Sequence, residues 1–206
     1  SKFSREVGLS TAEQFAKDQG IDIKLVDIKK VRKSILGTLP IDPNETIPVA
    51  TLDVRLCDLY LRSFASLENK IYLGTINATE RLCGWYPKGG LTGDFDLLGG
   101  LLKEQIKYLA QEMGLGHLLR TVSQEASDIC SGCGHLPEFK GISYQDLDKV
   151  LYIIDTTKSP SVIKKKLARE NISQKAYNVI KKRVDAVAHK HDVFPDYLKI
   201  NFLKTG

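Results

Sequence analysis

The chain has 206 residues, of which 27% are charged and 42% apolar, a composition typical of globular proteins. This length allows one domain with a substantial buried core. No apolar run approaches the roughly 18–20 residues that span a bilayer, and the first residues lack the apolar centre of a signal peptide, so we expect neither a membrane protein nor a secreted one. Four cysteines are too few for a disulfide scaffold of this size, which indicates a reducing, cytoplasmic setting.

The net charge of +5 is distributed unevenly along the chain. Residues 158–206 carry twelve lysines and arginines against four acidic residues. Such a basic segment is compatible with binding of nucleic acid, a membrane surface or a polyphosphate ligand. It is equally compatible with a lysine-rich helix face that is merely solvated, so charge alone leaves these alternatives open.

The first part of the chain predicts a helix, a strand and a second helix. Ser10 and Glu13 have the spacing of a capping box, and the helix that they open is expected to end at Gly20. Residues 21–26 alternate between apolar and polar side chains as a strand does, and residues 28–36 follow a helical pattern.

The middle of the chain predicts a loop, a long helix and a second strand. Three prolines favour a loop over residues 37–48, the apolar spacing of residues 49–66 predicts a helix, and residues 70–75 form the second strand. The order of strand, helix and strand is typical of a parallel α/β sheet. Because two parallel strands are too few for a stable layer, we expect a further strand before residue 1.

The rest of the chain predicts helices separated by loops. Residues 122–141 form a long polar loop, and serines at helix N-cap positions mark the later helix starts. Proline directly after one of these serines strengthens that start signal. The predicted helices cover residues 99–113, 143–154, 159–170 and 173–191.

Residues 71–103 are the most informative stretch. An apolar run ends in Gly74 and Thr75, a short segment carries Glu80, and a glycine-dense loop leads to Lys103. Glycines let the backbone approach a ligand, lysines meet phosphate, and carboxylates hold a metal or a hydroxyl. The stretch therefore predicts a site for a phosphate-bearing ligand at the end of a strand. The other charged residues of its loop are Lys88, Asp94 and Asp96.

Five short motifs carry a resemblance to a known family. They read G-T-I-N-A-T-E at 74–80, G-W-Y-P-K at 84–88, G-D-F-D at 93–96, G-I-S-Y at 141–144 and A-H-K at 188–190. In this order, they resemble the signature of the ammonia-dependent NAD synthases, which are N-type ATP pyrophosphatases. The resemblance implies a Rossmann-like parallel sheet of the adenine nucleotide α-hydrolase type.

The resemblance also implies a reaction. The nicotinate carboxylate of deamido-NAD attacks the α-phosphate of ATP, pyrophosphate leaves, and ammonia then converts the adenylated intermediate into NAD and AMP. Mg²⁺ and cationic side chains offset the repulsion between the two anions. ATP, Mg²⁺, deamido-NAD and ammonia are thus the implied ligands, a homodimer is the implied assembly, and neither a nucleic acid nor a membrane is expected as a partner.

Individual residues acquire expected roles through the same resemblance. Asp96 is interpreted as a cap of the helix that follows, and Trp85 and Tyr86 as packing residues rather than base-stacking ones. No residue is assigned as a catalytic acid or base. The implied ligands of ATP are Thr75, Lys103 and Ser123, that of Mg²⁺ is Glu80, and those of the dinucleotide are Arg55, Lys88, Asp94, His189 and Lys190.

One defining motif of the family, the S-G-G-x-D-S loop that wraps pyrophosphate, does not occur in this sequence. We expect it upstream of Ser1. Residues 1–206, with the basic helices of 158–206 as part of them, are then one domain that is incomplete at its N terminus and inactive by itself. Asp53, in a position where the family has a cation, leaves two alternatives open: a related ATP pyrophosphatase with another carbonyl acceptor, or a nucleotide- or RNA-binding module without catalysis.

Cys130, Cys133 and His135 have a spacing typical of zinc ligands. A zinc site needs a fourth ligand, for which Cys57 and Cys83 are candidates. The two loop cysteines are also compatible with a redox pair or with cysteines that bind nothing, and the sequence does not decide among these.

Overall fold

The structure, a computed structural model, describes residues 2–42, 46–90, 92–119, 139 and 141–191. Within these ranges helices predominate and one short sheet lies among them. In chain order the helices are α1 (Lys2–Asp18), α2 (Lys29–Leu36), α3 (Thr46–Leu67), α4 (Ala78–Cys83), α5 (Lys103–Glu112), α6 (Tyr144–Thr156), α7 (Pro160–Arg169) and α8 (Gln174–Ala186), with 3₁₀ turns at Gly116–Leu118 and Ala188–Lys190.

The sheet consists of two parallel strands, of which only the first was predicted. Strand β1 (Leu73–Gly74) pairs with β2 (Phe95–Asp96), and Gly74 lies opposite Asp96. Strand β1 is shorter than the predicted 70–75, and β2 was not predicted. A side chain at position 74 would place its Cβ 1.6 Å from Asp96 Oδ1, so this pairing requires glycine.

Two predictions for the N-terminal part are wrong. Helix α1 begins at Lys2, so Ser10 lies inside the helix and does not occupy the non-helical N-cap position that a capping box requires. The helix ends at Asp18 and Gly20 adopts a φ of +65°, as expected. Residues 21–26 form no strand, and Ile21 and Ile23 are 56% and 48% exposed. Alternation yields a strand only where a neighbouring strand supplies hydrogen bonds, and neither described strand pairs with this segment.

The helices after residue 28 agree with the predictions, with shifts at their ends. Helix α3 begins three residues before the predicted start and contains Pro48 in its first turn, where no helical N–H is lost. Helix α5 begins at Lys103, not at residue 99, because Gly99 and Leu101 donate to the Asp96 and Leu98 carbonyls in turns.

The main core lies beneath α4 to α8. Leu147, Val150 and Leu151 of α6 and Ile180 of α8 are completely inaccessible to solvent. Helix α6 contributes most of these buried side chains, since its apolar residues recur at helical spacing. The elements that carry the predicted site are therefore packed on a well-filled helical layer.

None of the helices in the described ranges combines the length and the apolar character that crossing a membrane requires. Helix α3 is the longest, and it carries charged side chains along its length, such as Asp53, Arg55 and Arg62.

Candidate functional site

The carboxyl end of β1 leads into α4 through a capping box. Asn77 Oδ1 accepts the Glu80 N–H at 2.9 Å, and the Glu80 carboxylate accepts the Asn77 N–H at 3.1 Å. Thr75, a predicted ATP ligand, lies exposed between β1 and this cap. The two reciprocal hydrogen bonds satisfy N–H groups that a helix start leaves without partners, and they fix the position of Glu80.

Two residues predicted for the nucleotide site, Glu80 and Lys103, lie side by side. Lys103 Nζ is 3.8 Å from Glu80 Oε1, and the two side chains are 25% and 24% exposed. Each residue belongs to the first turn of its helix, and the Ala78 N–H donates to the Leu101 carbonyl at 2.8 Å, which joins the starts of α4 and α5. The fold thus presents a cation and a carboxylate together near the carboxyl end of β1.

The surroundings of Glu80 fit a single protein ligand of Mg²⁺. Mg²⁺ usually takes one or two protein carboxylates and completes its shell with water and phosphate oxygens. No cluster of three or more histidines, cysteines or acidic residues occurs in the part of the chain that the structure describes. Glu80, whose side chain is 24% exposed, offers one carboxylate of the kind that Mg²⁺ takes.

A buried threonine and a buried aspartate support this pair, and the sequence interpretation assigned no role to either. Thr79 Oγ1 donates to Asp148 Oδ1 at 2.6 Å and accepts the Lys103 N–H at 2.9 Å. Asp148 Oδ2 accepts the Glu104 N–H at 2.8 Å. Thr79 lies inside the 74–80 motif and Asp148 follows the 141–144 motif by four residues. A polar pair that forms between distant helices has no periodicity by which a sequence reveals it.

Burial dominates the electrostatics of Asp148, which is 4% exposed. Loss of solvent raises the pKa of the Asp148 carboxyl above its ordinary value, while the hydrogen bonds from Thr79 and from the Glu104 N–H act in the opposite direction. The two acceptor bonds explain how a carboxylate is tolerated at this depth.

Asp94, a predicted dinucleotide ligand, extends the contact between the two strands. Its N–H donates to the Tyr72 carbonyl at 2.7 Å, and its Oδ2 accepts the Tyr72 N–H at 2.9 Å. Arg62, which was not singled out from the sequence, lies with Nη1 3.7 Å from Asp94 Oδ1 and also contacts the Thr92 carbonyl. Asp96 accepts the Gly93 N–H at 3.2 Å and does not cap α5, so that interpretation is wrong.

Arg55 and Lys88, also predicted to hold the dinucleotide, come together. Arg55 Nη2 donates to the Lys88 carbonyl at 3.2 Å, although the two residues lie on α3 and on the glycine-rich loop. Asp53, two residues before Arg55 on α3, forms an ion pair with Arg32 of α2. The negative charge that departs from the family pattern is therefore offset within the chain.

Cations from the end of the described chain contact the carbonyl groups at the end of α4. Lys190 Nζ donates to the Gly84 and Tyr86 carbonyls at 2.7 and 2.9 Å, and Arg183 Nε donates to the Cys83 carbonyl at 2.8 Å. His191 Nε2 lies 2.9 Å from the Arg81 carbonyl. Cations at a helix C-terminus satisfy its last carbonyls and its dipole. His189, the histidine of the A-H-K motif and a predicted dinucleotide ligand, is exposed.

The aromatic residues of the G-W-Y-P-K motif pack as predicted. The Trp85 ring lies 5.7 Å from the Phe139 ring and 6.5 Å from the Tyr144 ring, measured between centroids. Tyr86 is buried and donates its hydroxyl to the Lys190 carbonyl at 3.0 Å. Both rings are thus engaged in the protein interior.

The remaining predicted ligands fall outside the described residues. These are Ser123, predicted for ATP, and the possible zinc ligands Cys130, Cys133 and His135. Of the two candidates for a fourth zinc ligand, Cys57 is exposed and Cys83 is buried. Zinc binding, a redox pair and unbound cysteines therefore stay as three alternative predictions from the sequence.

Sequence comparison relates the chain to proteins of one kind. A profile of the NAD synthase family matches residues 1–193. The NH₃-dependent NAD⁺ synthetase of Methanosarcina mazei is 29% identical over 198 residues, which are 95% of this chain and 75% of that protein. The protein of the same name from Methanococcus aeolicus is 32% identical over 152 residues, 71% of this chain and 58% of the relative. A third, from Pyrobaculum aerophilum, is matched over 52% of its length, so the chain spans between half and three quarters of these relatives.

Solved structures show the same fold. The NMN synthetase of Francisella tularensis superposes with a TM-score of 0.72 at 21% identity, over 94% of this chain and 73% of that one. The NH₃-dependent NAD synthetase of Campylobacter jejuni, in complex with a nitrate ion, gives 0.70 at 21% identity, over 93% and 72%. The Rossmann-like, adenine nucleotide α-hydrolase-type fold expected from the sequence is thereby confirmed.

The profile match, from 1 to 193, includes the sheet, the Glu80–Lys103 pair, the helices of the core and the A-H-K turn. It therefore covers every element that the structure brings to the candidate site. On this basis the chain belongs to the NAD synthase family.

Proposed function

We propose that this chain serves the ATP-dependent amidation of deamido-NAD to NAD, with ammonia as the nitrogen donor. The observation that carries the proposal is the Glu80–Lys103 pair, with 3.8 Å between carboxylate oxygen and ammonium nitrogen near the carboxyl end of β1. Ligands of α/β proteins bind at the carboxyl ends of parallel strands. The names of the curated relatives support the same reaction class.

The proposed chemistry has two balanced steps. A carboxylate oxygen of the nicotinate group bonds to the α-phosphorus of ATP, and the bond to the bridging oxygen breaks, so that pyrophosphate leaves with the electron pair. The ammonia nitrogen then bonds to the activated carbonyl carbon, AMP leaves with the oxygen, and the nitrogen gives up a proton to solvent. Charge develops on phosphate oxygens in the first step, which is where cations stabilise a transition state.

The chain's own residues supply these charges. Lys103 meets a phosphate of ATP. Glu80 would hold Mg²⁺, which would supply Lewis-acid polarisation of the phosphoryl group. Thr75, exposed just after β1, and Ser123 are the further proposed ATP ligands. The proposed dinucleotide ligands are Arg55, Lys88, Asp94, His189 and Lys190.

The wider properties of the protein are proposed with the function. Residues 1–206 form one domain, because α7 and α8, which begin the basic segment 158–206, share a core with α4 and α6. The protein is a cytoplasmic homodimer. The 206-residue chain by itself is inactive, because its sequence lacks the S-G-G-x-D-S loop that wraps pyrophosphate.

The test is an assay of AMP release with the protein as its gene encodes it. We expect AMP formation that requires both deamido-NAD and ammonia, and a loss of about 10²- to 10³-fold in kcat for Lys103→Met, the magnitude typical of removing one group that stabilises developing charge. Glu80→Gln is expected to raise the Mg²⁺ concentration needed for half-maximal rate. The isolated 206-residue chain is expected to release no AMP.

Lys165→Met is the matched control, because Lys165 is an exposed lysine on α7 and its loss removes the same charge. Its rate is expected to stay within about twofold of the parent protein. AMP release that does not depend on deamido-NAD contradicts the proposal. Release with another carboxylate favours a related pyrophosphatase, and nucleotide binding without turnover favours a binding module.

A further inference from the structure

Thr79 and Asp148 form a buried polar pair between three helices, beside the proposed site but not part of it. Thr79 on α4 is 1% exposed and Asp148 on α6 is 4% exposed. The Thr79 hydroxyl donates to Asp148 Oδ1 at 2.6 Å. Buried polar groups are costly unless paired, and here the pairing partners are backbone groups of a third helix, α5.

The pair binds the start of α5 at two consecutive residues. Thr79 Oγ1 accepts the Lys103 N–H at 2.9 Å, and Asp148 Oδ2 accepts the Glu104 N–H at 2.8 Å. A helix start has no intrahelical partners for these N–H groups, so the two bonds satisfy them and tie the first turn of α5 to α4 and α6. Lys103 is the first residue of α5, and its ammonium is 3.8 Å from Glu80 Oε1.

We infer that Thr79 and Asp148 are positioning residues that hold the Lys103 ammonium beside Glu80 by fixing the first turn of α5 against α4. Neither side chain is proposed to contact ATP or the dinucleotide. Their effect on the reaction passes through the backbone of Lys103, because an ammonium displaced from its position attracts the phosphate of ATP less strongly and so weakens ATP binding. The kinetic part of the inference rests on the proposed function.

The kinetic test compares Thr79→Val, which removes the hydroxyl at nearly constant volume, with Thr79→Ser, which keeps it. We expect Thr79→Val to raise the KM for ATP about tenfold and to leave the KM for deamido-NAD within about twofold, and Thr79→Ser to restore the parent value. Ser173→Ala is the control, because Ser173 caps α8 through the Ala176 N–H and its loss also destabilises a helix start. It is expected to lower the melting temperature without changing the KM for ATP.

A double-mutant cycle separates positioning from general stability. If Thr79 acts through Lys103, then Thr79→Val has no further effect on the KM for ATP in the Lys103→Met protein. Any of three results overturns the inference. Thr79→Val raises the KM for ATP equally in the parent and in the Lys103→Met protein, or it raises the KM for deamido-NAD as much as the KM for ATP. The third is that Ser173→Ala raises the KM for ATP as much as Thr79→Val does. If Thr79→Val does not fold, Asp148→Asn takes its place in the same cycle.

Amide hydrogen exchange of the parent protein tests the pair without any variant or turnover. The Lys103 and Glu104 amides are expected to exchange as slowly as those of the α6 core, although first-turn amides are ordinarily unprotected. Rapid exchange at both positions overturns the inference. A protein that shows this protection but releases no AMP contradicts the proposed function alone, so the two failures are distinguishable.

Discussion

At the scale of single residues, Asp148 shows how one buried carboxylate is both costly and useful. Burial raises its pKa, and the Thr79 hydroxyl and the Glu104 N–H oppose that rise only in part. Because the folded protein then binds a proton at higher pH than the unfolded chain, protonation of Asp148 stabilises the folded state as the pH falls.

This linkage predicts how the difference in free energy of unfolding between the parent protein and Asp148→Asn depends on pH. From pH 7 down towards pH 4, the free energy of unfolding of the parent is expected to increase relative to that of the variant, with the gain complete below the unfolded pKa near 3.8. Urea denaturation at a series of pH values measures the difference. A relative stability that falls with pH instead indicates that the hydrogen bonds outweigh burial and hold the pKa below its ordinary value.

At the scale of elements, the short helix α4 depends on residues far along the chain. Its last carbonyls and the following loop receive hydrogen bonds from Arg183, Lys190 and His191. Gly84, just after the helix, adopts a φ of +64°, and a Cβ there would lie 2.6 Å from Val187 Cβ. The C-terminal turn is thus packed directly onto the end of α4, which carries Glu80.

Lys190→Met is therefore expected to destabilise the fold by about 1–3 kcal/mol, because the Gly84 and Tyr86 carbonyls lose a charged donor. Urea denaturation checks this, with Lys182→Met as the control, since Lys182 is an exposed lysine on α8. If Lys190 also binds the dinucleotide, the KM for deamido-NAD rises as well. A decrease in the free energy of unfolding equal to that of Lys182→Met shows that the carbonyl contacts contribute nothing to stability.

At the scale of the whole molecule, the exposed apolar side chains of α3 bear on the proposed homodimer. Leu59 and Leu61 are 58% and 46% exposed on this helix. We expect sedimentation velocity to show a dimer at micromolar concentration and Leu59→Glu to shift it towards monomer, because a charge opposes burial at an apolar interface. Met113→Glu, at a 64% exposed position just after α5, is the control. A monomer at these concentrations contradicts the proposal.

The accuracy of prediction from the sequence differs between helix starts, strands and the site. Helix starts that depend on local chemistry, such as Ser143, Ser173 and Pro160, lie where they were expected. Strands depend on distant partners, which explains the failure at residues 21–26 and the unpredicted β2. At the site, motif spacing located Glu80 and Lys103, but the Thr79–Asp148 pair depends on how helices meet and left no local pattern.

The hydrogen bonds at the start of α5 determine which groups of the chain can bind a phosphate there. Three successive N–H groups are already donated, from Leu102 to Gln105, from Lys103 to Thr79 and from Glu104 to Asp148. Helix starts that cradle phosphates do so with such N–H groups left open. A phosphate next to α5 is therefore attracted by the Lys103 ammonium, a single point charge, and not by a ring of amides, which makes its affinity sensitive to ionic strength.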